Sequence, residues 1–69
     1  NGRTTYTAKD LNREARSAMR DDIKAAGKRV RDFRFVRWQL LVINESVVTL
    51  QVHFQNIRNG WVSVVNVAI

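Results

Sequence analysis

The sequence predicts an α+β fold in which one N-terminal amphipathic helix packs on a three-stranded antiparallel meander, in the order α-β-β-β. Three observations predict this fold. Apolar residues recur at helical spacing before Gly27, they alternate with polar residues after residue 32, and the pair Asn59-Gly60 favours a tight hairpin turn. We expect residues 1–69 to form a single small domain, with an optional short strand in the β-favouring stretch RTTYT near the N-terminus.

The helix is predicted over residues 8–26. Thr7 is a favourable N-cap residue, and Asp10 stands three residues later, where a carboxylate completes a capping box. Gly27 is a common C-terminal stop, because glycine readily adopts the positive φ that ends many helices. The apolar positions share one arc of this helix, which is the face expected to pack on the sheet. They are Ala8, Leu11, Ala15, Ala18, Met19, Ile23 and Ala26.

Three strands are predicted over residues 33–43, 47–55 and 61–69, because each segment alternates with a period of two. Each of the first two strands therefore has one apolar face. In the first strand this face carries Val36, Trp38, Leu40 and Val42, and in the second it carries Val48, Leu50, Val52 and Phe54.

The expected turns set the pairing of these strands. A two-residue turn at Asn59-Gly60 pairs Phe54 with Val65 and joins the apolar faces of the second and third strands. The same turn pairs Val52 with Val67 and Leu50 with Ile69. For the first hairpin, a two-residue turn would bury Arg37, whereas a three-residue loop, Asn44-Glu45-Ser46, aligns the apolar faces. The three-residue loop is therefore expected, and it pairs Val36 with Phe54, Trp38 with Val52 and Leu40 with Leu50.

Catalytic, metal-binding and cofactor chemistry find little support in the sequence. The chain has no cysteine, which excludes disulfides, thiolate metal sites and a cysteine nucleophile. Its one histidine, His53, has no nucleophile or carboxylate partner on its predicted face, and no glycine-rich phosphate loop is present. No apolar run is long enough to span a membrane. We therefore expect a non-enzymatic protein with no cofactor, no metal site and no membrane span.

The main functional signal is a line of cations along the helix, which we call the basic stripe. The net charge of +6 and the pI of about 11.2 make polyanions the favoured partners. At about 100° per residue, the stripe occupies an arc of about 80°, and further cations follow in the link to the first strand. The stripe consists of Lys9, Arg13, Arg16, Arg20 and Lys24. With Lys28, Arg29, Arg31 and Arg37, these residues are the predicted contacts to the phosphates of DNA or RNA. An anionic membrane surface and an acidic protein are the other partners that this charge would suit.

A solubility role is the alternative interpretation of the basic stripe. Asp10 and Asp21 lie three residues from Arg13 and Lys24, and Glu14 lies one residue from Arg13, so these carboxylates could form surface ion pairs with helix cations. Segregation argues against this interpretation, because mixed signs would serve solubility better than a line of one sign. Asp22 falls inside the apolar arc, where it either pairs with an arginine such as Arg34 or lies on a helix end that separates from the core.

A second predicted contact surface is the open face of the sheet. Phe35, Gln39, Gln51 and His53 are expected there, beside Arg37. An aromatic ring, an arginine and several amides can stack on and hydrogen-bond to unpaired bases. One aromatic residue is fewer than sheet-type RNA binders usually present, so a solvated or partner-covered face is the alternative.

The C-terminal segment, residues 59–69, carries no charge. As an edge strand it would lack the lysines, prolines and bulges that protect edges from pairing with other chains. We expect a second copy of the chain, a missing stretch or the N-terminal segment to cover it, and a homodimer is the first expectation. A self-association or protein-interaction module that uses the sheet face and this edge is therefore the alternative to nucleic-acid binding.

Overall fold

The computed structural model describes residues 6–44 and 47–69. It contains helix α1 (Ala8–Ala25), a 3₁₀ turn (Val30–Asp32) and strands β1 (Phe33–Asn44), β2 (Val47–Asn56) and β3 (Val62–Ala68). The strands form one antiparallel sheet in the order β1-β2-β3, and α1 packs mainly over β2. This arrangement confirms the predicted α-β-β-β fold. The optional N-terminal strand falls mostly on residues 3–5, which lie outside the described residues.

The N-terminus of α1 is closed by the predicted capping box. The Asp10 amide donates to Thr7 Oγ1 at 3.1 Å, and the Thr7 amide donates to Asp10 Oδ2 at 3.2 Å. These bonds satisfy backbone donors that have no partner inside the helix. The bond from the backbone N–H of Thr7, supported by its side chain and by Arg13, lowers the pKa of Asp10 from its ordinary value of 3.8.

The C-terminus of α1 ends at Ala25, one residue before the predicted end. Gly27 has φ of 73°, and its N–H donates to the carbonyl of Lys24 at 2.9 Å. The N–H of Lys28 donates to the carbonyl of Ile23 at 3.0 Å. This pair of bonds is a Schellman motif, in which a glycine with positive φ reverses the chain direction.

The core lies between α1 and the central strand. Ala15 is fully buried, and its small side chain allows the helix backbone to lie close to the sheet. The rings of Phe33 and Phe54 meet edge to face with centroids 5.8 Å apart. The buried core residues are Leu11, Ala15, Met19 and Ile23 of α1, with Leu50, Val52 and Phe54 of β2. Their spacing of four on the helix and two on the strand is the periodicity that the sequence shows.

The middle of the first hairpin has the predicted register. Trp38 lies opposite Val52, and Leu40 lies opposite Leu50. This pairing packs Trp38 against the core, whereas Leu40 and Val42 of the predicted apolar face are 43% and 72% exposed. The predicted three-residue loop includes residues 45 and 46, which lie outside the described residues, and Asn44 pairs with Val47 at the end of the ladder.

The register prediction is wrong near the start of β1. The pairing shifts between Phe35 and Arg37, so Val36 is the extra residue of a β-bulge. As a result Phe35, not Val36, lies opposite Phe54 and packs against the core. The bulge allows both Phe35 and Trp38 to face the helix, so two large aromatic side chains are partly buried while Val36 is 42% exposed.

The second hairpin is offset by two residues from the prediction. Val52 lies opposite Val65 rather than Val67, and Phe54 lies opposite Ser63 rather than Val65. Because the offset is even, every side chain of β3 stays on its predicted face of the sheet.

A four-residue loop, residues 57–60, causes this offset. Only Gly60 of the loop has a positive φ, 81°, so Asn59 does not take part in a type I′ turn. The Asn56 side-chain oxygen accepts from the amides of Arg58 and Asn59 at 2.8 and 3.3 Å. The amide of Ile57 donates to the Asp32 carbonyl at 2.9 Å. These bonds give the backbone amides of the longer loop hydrogen-bond partners, which favours this loop over the shorter turn.

Candidate nucleic-acid interface

The basic stripe lies on the side of α1 that faces β1. All five of its residues are exposed: Lys9, Arg13, Arg16, Arg20 and Lys24. Arg16 fixes the direction, because its guanidinium lies 4.4 Å from the centre of the Phe35 ring on β1. The acidic residues Glu14 and Asp21 project from the opposite side of the helix, beside β3. The stripe cations and the carboxylates of Glu14 and Asp21 are therefore separated onto different edges of the sheet.

The basic stripe is poorly neutralised. Arg13 Nη2 lies 2.8 Å from Asp10 Oδ1, in an exposed i,i+3 pair at the N-terminus of the helix. Among the residues that the structure describes, the only other ion pair joins Arg58 to Asp32, at 3.9 Å. The pairs expected for Glu14 and Asp21 do not form, because these side chains project away from the stripe.

Arg16 is the stripe residue with the best-defined position. Its guanidinium stacks over the half-buried ring of Phe35, and arginine suits this place because its planar group packs on aromatic faces while its N–H groups stay available. The bulge at Val36 creates this contact by turning Phe35 to the helix side. Regular alternation along β1 predicts Phe35 on the opposite face, where it would not contact Arg16.

The basic link between α1 and β1 meets the loop between β2 and β3. Lys28, Arg29 and Arg31 are exposed in the link. The loop contacts the link at Asp32. The Ile57 amide donates to the Asp32 carbonyl, and Arg58 lies within ion-pair distance of the Asp32 carboxylate.

Sequence reasoning missed two residues at this end of the sheet, Arg58 in the loop and Trp61 directly after it. The side chain of Arg58 is 74% exposed, and Trp61 is also 74% exposed. The Asn56 amide donates to the Trp61 carbonyl at 2.8 Å, and Asn56 itself pairs with Phe33, the first residue of β1. An exposed aromatic residue therefore lies at the same end of the sheet as the link cations. The available signal was a cation and a tryptophan on either side of Asn59-Gly60 in the sequence.

The open face of the sheet is polar and internally bonded. Gln51 Oε1 accepts from Gln39 Nε2 at 2.7 Å and lies 2.9 Å from His53 Nε2. Arg37 lies opposite His53 in the register, and it is exposed. With Phe35 on the other face, the strands present no phenylalanine, tyrosine or tryptophan side chain here within the described residues, and the imidazole of His53 is the ring that remains. This face can donate and accept hydrogen bonds, but the phenylalanine that was predicted to stack on a base lies on the other side of the sheet.

The predicted site residues thus divide into two groups. The basic stripe shares the helix side of the sheet with Phe35 and leads into the link. Arg37, Gln39, Gln51 and His53 lie on the opposite side. One flat ligand cannot contact both groups, although an extended ligand that bends around the β1 edge could.

No protein-family model, curated protein or solved structure matches the chain. No helix in the described part of the chain is both long and apolar enough to cross a membrane. Within residues 6–44 and 47–69, no group of three or more histidine, aspartate or glutamate side chains is placed to hold a metal ion.

Proposed function

We propose that this protein is a non-enzymatic module that binds DNA or RNA through phosphate contacts along the basic stripe and the link. The observation that carries the proposal is the separation of charge on α1. Of the five stripe cations, only Arg13 has a carboxylate within ion-pair distance among the described residues. A face that served solubility alone would gain nothing from keeping its carboxylates on the other side of the helix.

The dimensions of the stripe suit a nucleic-acid backbone. From Lys9 to Lys24 the helix rises about 22 Å, at about 1.5 Å per residue. A DNA duplex carries one negative charge per about 1.7 Å of its axis, so five cations at this spacing can each meet a phosphate. Three of the five are arginines, whose forked donors match phosphate oxygens.

The loop end extends this surface toward unpaired bases. Trp61 and Arg58 lie beside the link cations, and an exposed tryptophan can stack on a base of any identity. Phosphate contacts along the stripe would position the ligand without reading its sequence.

The test is a salt titration of binding to single- and double-stranded oligonucleotides. The five stripe contacts alone predict a slope of log K against log salt of about −4.5 on duplex DNA, or a loss of about 500-fold in affinity between 50 and 200 mM salt, and each link contact adds about −0.9 to the slope. The variant Arg20→Ala/Lys24→Ala removes two contacts and should make the slope less negative by about 1.8. Arg20 and Lys24 make no ion pair within the described residues, so the fold should tolerate the change.

The control variant is Glu14→Ala/Asp21→Ala, which removes two charges from the opposite side of the same helix. It should leave the slope equal to that of the parent, within about half a unit, and raise affinity slightly because two repelling charges are lost. Equal slopes for the parent and the Arg20/Lys24 variant, or no binding by the parent at low salt, would show that the stripe is a solubility surface.

The second candidate function is self-association or protein interaction through the edge of β3. The observation that favours it is the exposure of an uncharged edge strand, on which Val62 and Val64 are 55% and 49% exposed. In this case the cations would solubilise the protein or meet an acidic protein. A homodimer is one form of this function. Sedimentation equilibrium tests the homodimer, and a monomer at high micromolar concentration would exclude the homodimer.

A further inference from the structure

Within residues 6–44 and 47–69, the edge of β3 has a row of backbone groups without a strand partner. The Ile69 amide donates to the Val48 carbonyl at 3.1 Å, and the Trp61 carbonyl accepts from Asn56. Hydrogen bonding alternates along an antiparallel strand, so the odd-numbered residues of β3 face β2. The backbone groups of Val62, Val64, Asn66 and Ala68 therefore point away from the sheet. No further strand pairs with β3 within the described residues.

A groove runs along the helix side of this edge. Its volume is about 390 Å³, and its floor is apolar where β3 contributes Val65, Val67 and Ile69. Its wall is the acidic side of α1, with Glu14, Ser17, Ala18, Asp21 and Asp22. Asp22 does not pair with Arg34, which instead donates from Nε to Gln55 Oε1 at 2.9 Å. Three carboxylates therefore line the space into which a strand added to β3 would project its side chains.

We infer that the β3 groove accepts a cationic extended segment of a partner protein, which adds to the sheet as a fourth strand. Main-chain bonds to β3 would supply affinity, and alternate side chains of the segment would enter the groove. Those side chains would be aliphatic over Val65 and Val67, and lysine or arginine near Glu14 and Asp21. The inference names the partner for the second candidate function and does not depend on nucleic-acid binding.

The spacing of the carboxylates supports this pattern. Glu14 and Asp21 are separated by seven residues of helix, which is a rise of about 10.5 Å. Side chains on one face of a strand recur every two residues, so two cations with one aliphatic residue between them lie about 13 Å apart. The flexible lysine or arginine stem covers the difference.

Charge makes a second copy of this chain a poor occupant. Symmetric pairing of β3 with itself would place two sets of Glu14, Asp21 and Asp22 across one groove. The two sets of carboxylates would repel each other, and burial of the apolar floor would not compensate for this repulsion. The β1 edge is not an equivalent site, because its bulge at Val36 and its exposed Arg34 and Arg37 protect it from strand pairing.

The experiment uses a capped synthetic peptide of about nine residues, in which threonine alternates with lysine and valine in turn, so that one face reads lysine, valine, lysine, valine. Binding is followed by amide chemical shifts of the labelled protein without nucleic acid. We expect shifts concentrated at Val62, Val64, Asn66 and Ala68.

Two matched peptides should fail to bind. One has glutamate in place of lysine, and the other is N-methylated at the amides that would pair with β3. The overall charge of the protein, +6, disfavours nonspecific binding of the lysine peptide.

Two protein variants separate the backbone from the charge contribution. Val64→Pro removes an outward N–H without removing a bond to β2, and it should abolish peptide binding, whereas Val64→Ala should retain it. Glu14→Gln/Asp21→Asn/Asp22→Asn should weaken the lysine peptide about tenfold at low salt and reduce discrimination against the glutamate peptide.

Three results would overturn the inference. The first is the absence of β3 shifts at millimolar lysine peptide. The second is equal binding of the lysine and glutamate peptides, or binding of the lysine peptide by Val64→Pro that equals binding by the parent. The third is protection of the outward β3 amides from hydrogen exchange in the protein alone: protection that rises with concentration would identify a second copy, and constant protection a segment of the same chain. Val64→Pro should still bind oligonucleotides, so failure of this inference is distinguishable from failure of the proposed nucleic-acid function.

Discussion

Replacement of Arg16 tests whether a stripe residue has a structural role in addition to its charge. Its guanidinium lies 4.4 Å from the centre of the Phe35 ring, which is half-buried against the core. A cation–π contact at an exposed site contributes about 0.5–1 kcal/mol, and loss of the arginine stem uncovers part of the ring. The gain in helix propensity from arginine to alanine is only a few tenths of a kcal/mol. We therefore expect Arg16→Ala to lower the free energy of unfolding by about 1 kcal/mol.

For a domain of this size, about 1 kcal/mol corresponds to a fall in Tm of about 4–8 °C. Thermal unfolding followed by circular dichroism measures this, with Arg20→Ala as the control. Arg20 carries the same charge on the same helix, and its replacement should change stability by at most about 0.5 kcal/mol. Arg16→Lys should fall between the parent and Arg16→Ala, because an ammonium group keeps the charge but not the planar stack.

A double-mutant cycle isolates the pair itself. Phe35→Leu keeps an apolar side chain at the bulge but removes the ring, so Arg16→Ala should cost much less in that background. A coupling of about 0.5–1 kcal/mol is expected. If Arg16→Ala and Arg20→Ala lower Tm equally, or if the coupling is zero, the stack contributes nothing and the argument for Arg16 is refuted. In nucleic-acid binding, both single variants should reduce the salt slope by about 0.9.

Three further predictions concern the helix cap, the loop end and the second hairpin. The pKa of Asp10 is lowered from 3.8, so the stabilising effect of its carboxylate is fully present above that pH and is lost as the pH falls through the lowered value. Acid titration of the parent should therefore show a loss of helix below about pH 3.8 that Asp10→Asn lacks. If Trp61 stacks on bases, single-stranded oligonucleotides should quench its fluorescence, and Trp61→Ala should weaken their binding about fivefold or more; unchanged emission in the bound state would remove Trp61 from the interface. Gly60 has φ of 81° with open space around it, so Gly60→Ala should cost about 1–2 kcal/mol through backbone strain alone. Asn59 has no positive φ, so Asn59→Ala should cost only the bond that Asn59 Oδ1 accepts from the Trp61 amide at 2.9 Å, about 1 kcal/mol by chemical denaturation. A cost for Asn59→Ala above that of Gly60→Ala would mean that Asn59 also needs a positive φ, as in a type I′ turn.

The charge distribution gives the two candidate functions separate surfaces. The basic stripe faces β1, and the acidic groove lies beside β3. A polyanion on one edge and a cationic strand on the other would therefore not compete for the same residues. The variants at Arg20 and Lys24 and the variant at Val64 should affect only their own ligand.

Sequence alone determined the features that depend on short-range chemistry. Thr7 and Asp10 define the start of α1 because a capping box involves only four consecutive residues. Gly27 defines its end for a similar local reason. The faces of β2 were predictable because alternation of apolar and polar residues has a fixed period, and the basic stripe was predictable because helix geometry fixes the angle between residues.

Only the tertiary structure decided which residues the elements bring together. The bulge at Val36 turns Phe35 toward the helix because burying two rings against the core outweighs regular pairing. Bonds from Asn56 and from Asp32 to the β2–β3 loop select four loop residues over the two that Asn59-Gly60 favours. The orientation of the helix across β2 decides that the cations of the stripe lie beside β1 and that Glu14 and Asp21 lie beside β3. These outcomes depend on competition among packing and hydrogen bonds between residues that are distant in the chain, which no local pattern records.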